Sequence, residues 1–253
     1  MSATYPELTG QVAVVTGGSG SIGAATCRFF AAHRMRVVVV GRAEKTLEEV
    51  REQVWNTGGE AISVVADCTE PDAVAALVRQ VDEAYGGADV LAAFAGGNGS
   101  PVPSLDLPAD RWHEVLDSDL TSAFLTVQAF LPGMVARGRG SVITMSSAAG
   151  RQPSQANVAY AVAKAGVVML TRHLAAELAG TGVRVNCVAP AAVHNAKMDR
   201  ALPPERIAAL GRSFPLGRIG EPEDVAAATG FLASDASSWI TGMTLDVAGG
   251  KVV

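Results

Sequence analysis

Val12-Ala13-Val14-Val15-Thr16-Gly17-Gly18-Ser19-Gly20-Ser21-Ile22-Gly23 runs an unbroken β-branched stretch straight into a cluster of glycines. Its apolar residues are continuous rather than alternating. That pattern marks a strand buried on both faces, as in a parallel sheet covered by helices. Helical spacing begins at Ala24 and continues to His33. A glycine-rich turn between a strand and a helix lets backbone approach a phosphate, while the helix start offers free N–H groups and partial positive charge. A tight turn that binds nothing is the plainer reading. Adjacent glycines, however, cost conformational entropy that an ordinary turn has no need to spend.

Working outward, the same alternation repeats. Strands are expected at Arg36–Val40, Ala61–Ala66, Val90–Ala95, Ser141–Ser146, Val183–Val188 and Met243–Val247. Helices are expected at Glu44–Asn56, Pro71–Tyr85, within Pro108–Arg137, at Val158–Ala179 and at Pro222–Ala233. Strand–helix alternation gives an α/β, doubly wound (Rossmann) parallel sheet of seven strands with helices on both faces. No linker or repeat divides residues 1–253, so one domain is expected. The segment from Ala189 to Gly220 carries four prolines and breaks the alternation. Its stretch 191–214 is expected to be a mobile substrate lid.

Composition narrows the function. The chain is 49% hydrophobic and 18% charged, with net charge −5 and no long basic run. Nucleic acid and anionic membrane are therefore not expected as partners. Cys27, Cys68 and Cys187 lie far apart with no CxxC pair, which suggests reduced thiols. Those cysteines and the four scattered histidines show no metal-ligand spacing, so no metal is expected. Met1–Gly10 lacks the features of a signal peptide. No apolar run approaches the ~20 residues of a membrane span, and a cytoplasmic location is expected by default.

Gly41-Arg42 closes the second strand. An acid there would hold a ribose 2′-hydroxyl, whereas an arginine can receive a 2′-phosphate. The nearest acid is Glu44, so NADP(H) is expected ahead of NAD(H), the alternative being a solvated arginine at a helix start. Asp67-Cys68, after the third strand, reads equally as an adenine contact or as an N-cap for the next helix.

Tyr160-Ala161-Val162-Ala163-Lys164 opens the long helix at 158, and residues i and i+4 share a helix face. A phenol ordinarily titrates near ~10, and an adjacent cation favours phenolate. Such a pair suits general acid–base work near neutrality. Ser147, thirteen positions earlier at the end of the fifth strand, offers a hydroxyl to a substrate oxygen. Alone, a YxxxK pair is more often a surface contact. The order of glycine loop, serine and YxxxK along the chain is what makes the set specific.

This order resembles the short-chain dehydrogenase/reductase family over essentially the whole chain. The matching stretches are TGGSGSIG at 16–23, SSAAG at 146–150, YAVAK at 160–164, RVNCVAP at 184–190, PLGRIGEPEDVA at 215–226 and FLASDASSWITG at 231–242. The last two are similar to 3-oxoacyl-carrier-protein reductases and related ketone reductases. The resemblance implies hydride transfer involving a nicotinamide cofactor and usually a homotetramer. It implies Ser147 as donor to the carbonyl oxygen, Tyr160 as general acid/base and Lys164 as ribose ligand and tuner of the phenol. It places the cofactor on Gly17, Ser19, Ser21, Ile22, Gly23, Arg42, Asp67, Cys68, Ala95, Gly96, Tyr160, Lys164, Pro190, Val193 and Asn195.

Several positions depart from the family pattern. Ser21 replaces a glycine of the loop, and Phe94 an asparagine after the fourth strand. Asn195 replaces a threonine that holds the carboxamide. Asp119 stands where the family carries a catalytic asparagine; its charge would pair with Lys164 and partly offset the lysine's effect on the phenol. His194 either reaches the substrate cleft or is an exposed loop histidine. The expected function is an NADPH-dependent reductase of a ketone or 3-oxoacyl-type carbonyl, acting on a small molecule or an acyl thioester. Thr181, where carrier-protein reductases often place an arginine, tilts the choice towards a free small carbonyl compound. The alternatives are an NAD-dependent alcohol or sugar dehydrogenase and a non-catalytic nucleotide-binding relative.

Overall fold

The computed structural model describes residues 4–251. Its strands are β1 (Val12–Thr16), β2 (Arg36–Gly41), β3 (Glu60–Val65), β4 (Val90–Ala93), β5 (Gly140–Met145), β6 (Val183–Pro190) and β7 (Thr244–Val247). They form one seven-stranded sheet in the order β3-β2-β1-β4-β5-β6-β7, and every pairing is parallel. The helices are α1 (Ser21–Ala32), α2 (Glu44–Asn56), α3 (Pro71–Tyr85), α4 (Ala109–Leu116), α5 (Ser122–Ala136), α6 (Val158–Glu177), α7 (Ala196–Ala201), α8 (Pro204–Arg212) and α9 (Pro222–Ala233).

The continuous valine runs do what their pattern implies. Ala13, Val15, Val37 and Val39 enter one apolar cluster with Phe30, Leu47 and Leu232 from α1, α2 and α9. Val12, Val14, Val38 and Val40 enter another with Leu77, Phe130 and Met134 from α3 and α5. Burying such side chains contributes ~1.5–3 kcal/mol each, so the two layers lock the sheet between them.

The chain winds from β1 out to β3, then returns to place β4 on the other side of β1. This reversal leaves a crevice at the carboxyl ends of β1 and β4, where doubly wound sheets bind their ligands. The glycine loop and residues 94–97 border it.

Three local differences from the sequence reading matter. First, β4 ends at Ala93, not Ala95, because the N–H groups of Phe94 and Ala95 donate to Thr16 Oγ1 at 3.0 and 3.1 Å instead of extending the ladder. Second, the helical stretch within 108–137 is interrupted by a π-helical turn over Asp117–Thr121. Third, residues 191–214, expected as a lid, carry two short helices, α7 and α8, joined at Leu202-Pro203.

Candidate active site

The glycine loop is shaped by close approach. Gly17 has φ +66°, and a Cβ there would lie 2.8 Å from the Phe94 carbonyl oxygen. A Cβ on Gly18 would meet the Val39 side chain at 2.7 Å, and one on Gly23 would collide with the Gly17 carbonyl. α1 therefore begins directly against the loop. Its N-cap is Gly20, no side chain caps it, and its first turn holds no acid. The first-turn N–H groups are left for an anion. Ser21 is the exposed first residue of α1, so its Cβ points away from the packed interior. Ser19 Oγ lies near Gly41, at the end of β2. This cradle fits the pyrophosphate of a dinucleotide.

At the adenosine end, the Arg42 side chain is 77% exposed and its Nη1 lies 3.9 Å from Asp67 Oδ2. Asp67 Oδ1 accepts from the Thr69 N–H at 3.0 Å and the Thr69 hydroxyl at 2.7 Å. These bonds, with a smaller contribution from Arg42, hold its carboxyl below the usual carboxylate range. Asp67 thus caps a turn before α3 rather than α3 itself, whose N-cap is Glu70. Burial pushes the Cys68 thiol up.

The other half of the site is built on β5 and α6. Ser147, half-buried, follows β5 and N-caps a short 3-10 turn, its Oγ accepting from the Ala149 N–H at 3.2 Å. Ser146 Oγ donates to the Lys164 carbonyl at 2.7 Å, and Gly150 packs so closely on α6 that a Cβ would lie 2.5 Å from Lys164 C. The SSAAG stretch is therefore clamped to α6 at the lysine. Tyr160 and Lys164 share a face, with Nζ 5.5 Å from the centre of the phenol ring.

Lys164 is 5% exposed and Asp119 fully buried; Nζ lies 3.1 Å from Asp119 Oδ1 and donates to the Met145 carbonyl at 3.2 Å. Asp119 also accepts from Gly97 N at 2.7 Å, Asn98 N at 3.3 Å and Ser118 Oγ at 2.9 Å. The π turn turns this carboxylate inward while Asp117 stays exposed. Single π turns inside helices are frequent at functional sites. Gly96, at φ +129°, leaves no room for a Cβ beside Asp119.

Asn157 was not singled out by the sequence motifs. It is buried and N-caps α6, its Oδ1 accepting from Tyr160 N at 2.9 Å. Its Nδ2 donates to the carbonyls of Asn98 (2.8 Å) and Ser100 (2.9 Å). One amide thus fixes both the start of the Tyr160 helix and the loop facing it. A cap residue three positions before Tyr160 was the available signal.

Beyond β6, Pro190 and Val193 are buried. Both ends of the Asn195 amide are engaged: Oδ1 accepts from Met198 N at 3.0 Å and Nδ2 donates to the Val193 carbonyl at 2.9 Å. His194 ties the segment down, its Nε2 2.7 Å from Asp199 Oδ1 on α7 and its Nδ1 3.5 Å from Glu221 Oε2 at the start of α9. Among the described residues no group of three or more His, Cys, Asp or Glu is arranged to hold a metal, and no helix is long and apolar enough to cross a membrane.

A phosphate cradle at the switch point, beside a serine and a Tyr–Lys face, defines the class of nucleotide-dependent oxidoreductases. The family model described as enoyl-(acyl carrier protein) reductase matches residues 9–251. The chain is 38% identical over 240 residues to cis-4-hydroxycyclohexanecarboxylate dehydrogenase of Sinomonas cyclohexanicum, covering 95% of this chain and 96% of that one. It is 34% identical over 245 residues to 3-oxoacyl-[acyl-carrier-protein] reductase FabG of Vibrio cholerae, covering 96% and 98%. The solved structure of NAD+-bound xylitol dehydrogenase superposes with a TM-score of 0.89, at 28% identity over 96% of this chain and 100% of that one. The chain belongs to the short-chain dehydrogenase/reductase family, whose members use NAD(P)(H).

Two predictions arise from this geometry. Asp119→Ala leaves a buried lysine without its counter-charge and is expected to cost ~3–5 kcal/mol in urea unfolding. The better-tolerated Asp119→Asn is expected to change the pH–rate profile of turnover; an unchanged profile removes Asp119 from the chemistry. Separately, the Asp199 hydrogen bond raises the pKa of His194 above the ordinary 6.5, with Glu221 adding to it. The folded chain therefore favours the imidazolium. This tie contributes stability below about pH 6.5 and loses it as pH rises through the raised folded value. An NMR titration of the His194 ring is expected to give a midpoint above 6.5 that falls in Asp199→Asn; a midpoint indifferent to that change contradicts the pairing.

Proposed function

We propose that the chain is an NADP(H)-dependent reductase that delivers hydride to a ketone or 3-oxoacyl-type carbonyl and releases a secondary alcohol. The observation that carries this reading is the buried Asp119–Lys164 pair beneath the Tyr160 ring, on the helix to which the Ser147 turn is clamped. A buried ion pair is costly to assemble, which supports a role for this one in the chemistry at Tyr160.

In this reading the nicotinamide supplies the hydride. Ser147 Oγ donates to the substrate carbonyl oxygen and holds it beside the phenol. Tyr160 gives that oxygen its proton as negative charge develops there. Lys164 favours the phenolate left behind and holds ribose hydroxyls. Asp119 keeps the lysine in position. Gly17, Ser19, Ser21, Ile22 and Gly23 line the pyrophosphate, Ala95 and Gly96 the face of the crevice, and Pro190 and Val193 the carboxamide side. To hold the carboxamide as well, Asn195 would have to exchange its bond to the Val193 carbonyl. Residues 191–214 close over the substrate. Exposed apolar side chains on α6 (Val158, Val162, Met169), at Met243 and on β7 (Leu245) support self-association, in this reading as a homotetramer.

Arg42, widely exposed at the end of β2, supports NADP(H) through its fit to a 2′-phosphate. The Asp67 carboxylate at 3.9 Å favours a second reading, an NAD-dependent alcohol or sugar dehydrogenase, because it partly offsets the positive charge there. The named relatives act on a hydroxy acid and on 3-oxoacyl groups, which supports a secondary alcohol–ketone couple.

The test is an NADPH-oxidation screen over ketones, diketones, oxo acids and acyl thioesters. Tyr160→Phe is expected to lower turnover by roughly 10²- to 10⁴-fold while cofactor still binds. Tighter NADPH than NADH binding, narrowed by Arg42→Ala, is expected; the opposite order supports the NAD reading.

A further inference from the structure

Lys197, on the lid helix α7, reaches across the cleft mouth and donates from Nζ to Ser100 Oγ at 2.8 Å. No carboxylate of the described residues pairs with it. Asp199, on the same helix, is committed to His194. The lid thus holds an ammonium against a neutral hydroxyl in a chain of net charge −5.

Lys197 is exposed, and Ser100, the partner of its ammonium, is itself anchored. Asn157, the cap of the Tyr160 helix, takes the Ser100 carbonyl at 2.9 Å. The preceding residue, Gly99, backs onto the Tyr160 ring so closely that a Cβ would lie 3.1 Å from two ring carbons. Neighbouring Cα atoms are ~3.8 Å apart, so Ser100 stands one residue from the phenol's flank. Gly99 lies against the Cγ–Cε1 edge of the ring, so Ser100 and the Lys197 ammonium bonded to it stand on that side of the phenol.

We propose that Lys197 and Ser100 select substrates carrying a carboxylate a short spacer away from the reacting carbonyl or alcohol. The inference rests on the reading of Tyr160 as the proton donor. On binding, the carboxylate takes the place of the Ser100 oxygen as acceptor for Nζ. The Ser100 hydroxyl, which can donate as well as accept, turns its proton to the same carboxylate. A charge-assisted bond of this kind is roughly twice as strong as a neutral one. The exchange also draws α7 onto the substrate, so lid closure and recognition of charge become one event.

The test compares 4-oxopentanoate and 4-oxocyclohexanecarboxylate with their methyl esters. Binding to the NADP+-loaded protein is measured by calorimetry, and kcat/KM by NADPH oxidation. Wild type is expected to prefer each acid over its ester by roughly 10- to 100-fold, the range for a hydrogen bond to a charged group, and the preference should shrink with added salt. Lys197→Gln is expected to abolish the acid-to-ester ratio and Ser100→Ala to reduce it. Arg200→Gln, which removes a cation from the same helix, should leave the ratio in place. Equal binding of acid and ester by wild type overturns the proposal, as does a ratio that survives Lys197→Gln. A calorimetric acid preference lost in Lys197→Gln, with no turnover of any carbonyl, would uphold the selection and refute the reductase reading. Turnover without acid preference does the reverse.

Discussion

A lysine ammonium buried beneath the sheet's carboxyl edge is held by one carboxylate, and much of the site follows from that. Taking both charges out of water costs several kcal/mol per ion, which their attraction offsets only when the remaining hydrogen-bonding capacity is satisfied. Here it is largely met. Lys164 also has the Met145 carbonyl, and Asp119 has two backbone N–H groups and the Ser118 hydroxyl. Those partners come from the end of β5, the segment after β4 and the π turn. The pair therefore fixes three separate pieces of chain against α6.

The same requirement explains the neighbouring backbone. Gly96 and Gly97 adopt φ of +129° and +116°, which brings the 96–98 segment onto the Asp119 carboxylate. From there the chain passes Asn98 and Gly99 to Ser100, where Asn157 catches it. The phenol, the lysine and the loop above them are thus set by a short series of buried polar contacts. The glycine loop is positioned independently, by Thr16 Oγ1 holding the ends of β1 and β4 together where the family pattern would have an asparagine at 94.

Most of the fold was legible in the sequence because its signal is strong. Four consecutive valines in β2 leave no polar face, and α2, α3 and α6 end within a few residues of a glycine. The order of Ser147, Tyr160 and Lys164 was legible for the same reason. The π turn at Asp117–Thr121 was not, since the helix that follows, α5, is apolar nearly all round and a shift of its helical phase leaves no readable break. Asp119 and its pairing with Lys164 were read from position, whereas its backbone donors, Gly97 and Asn98, had no sequence signal. α7 and α8 escaped notice because they are short and set among prolines. Lys197 had no signal at all: its meaning comes from Ser100, 97 residues away in sequence.

A double-mutant cycle in urea unfolding between Asp119→Leu and Lys164→Met tests most directly whether the buried pair organises the site. Each single change strands the other charge, whereas the double change removes both. The double variant is expected to be more stable than the sum of the single losses predicts, by an interaction on the order of 1–3 kcal/mol. Additive losses would show that the two side chains are merely adjacent, and would contradict the pair as the constraint on which the site depends.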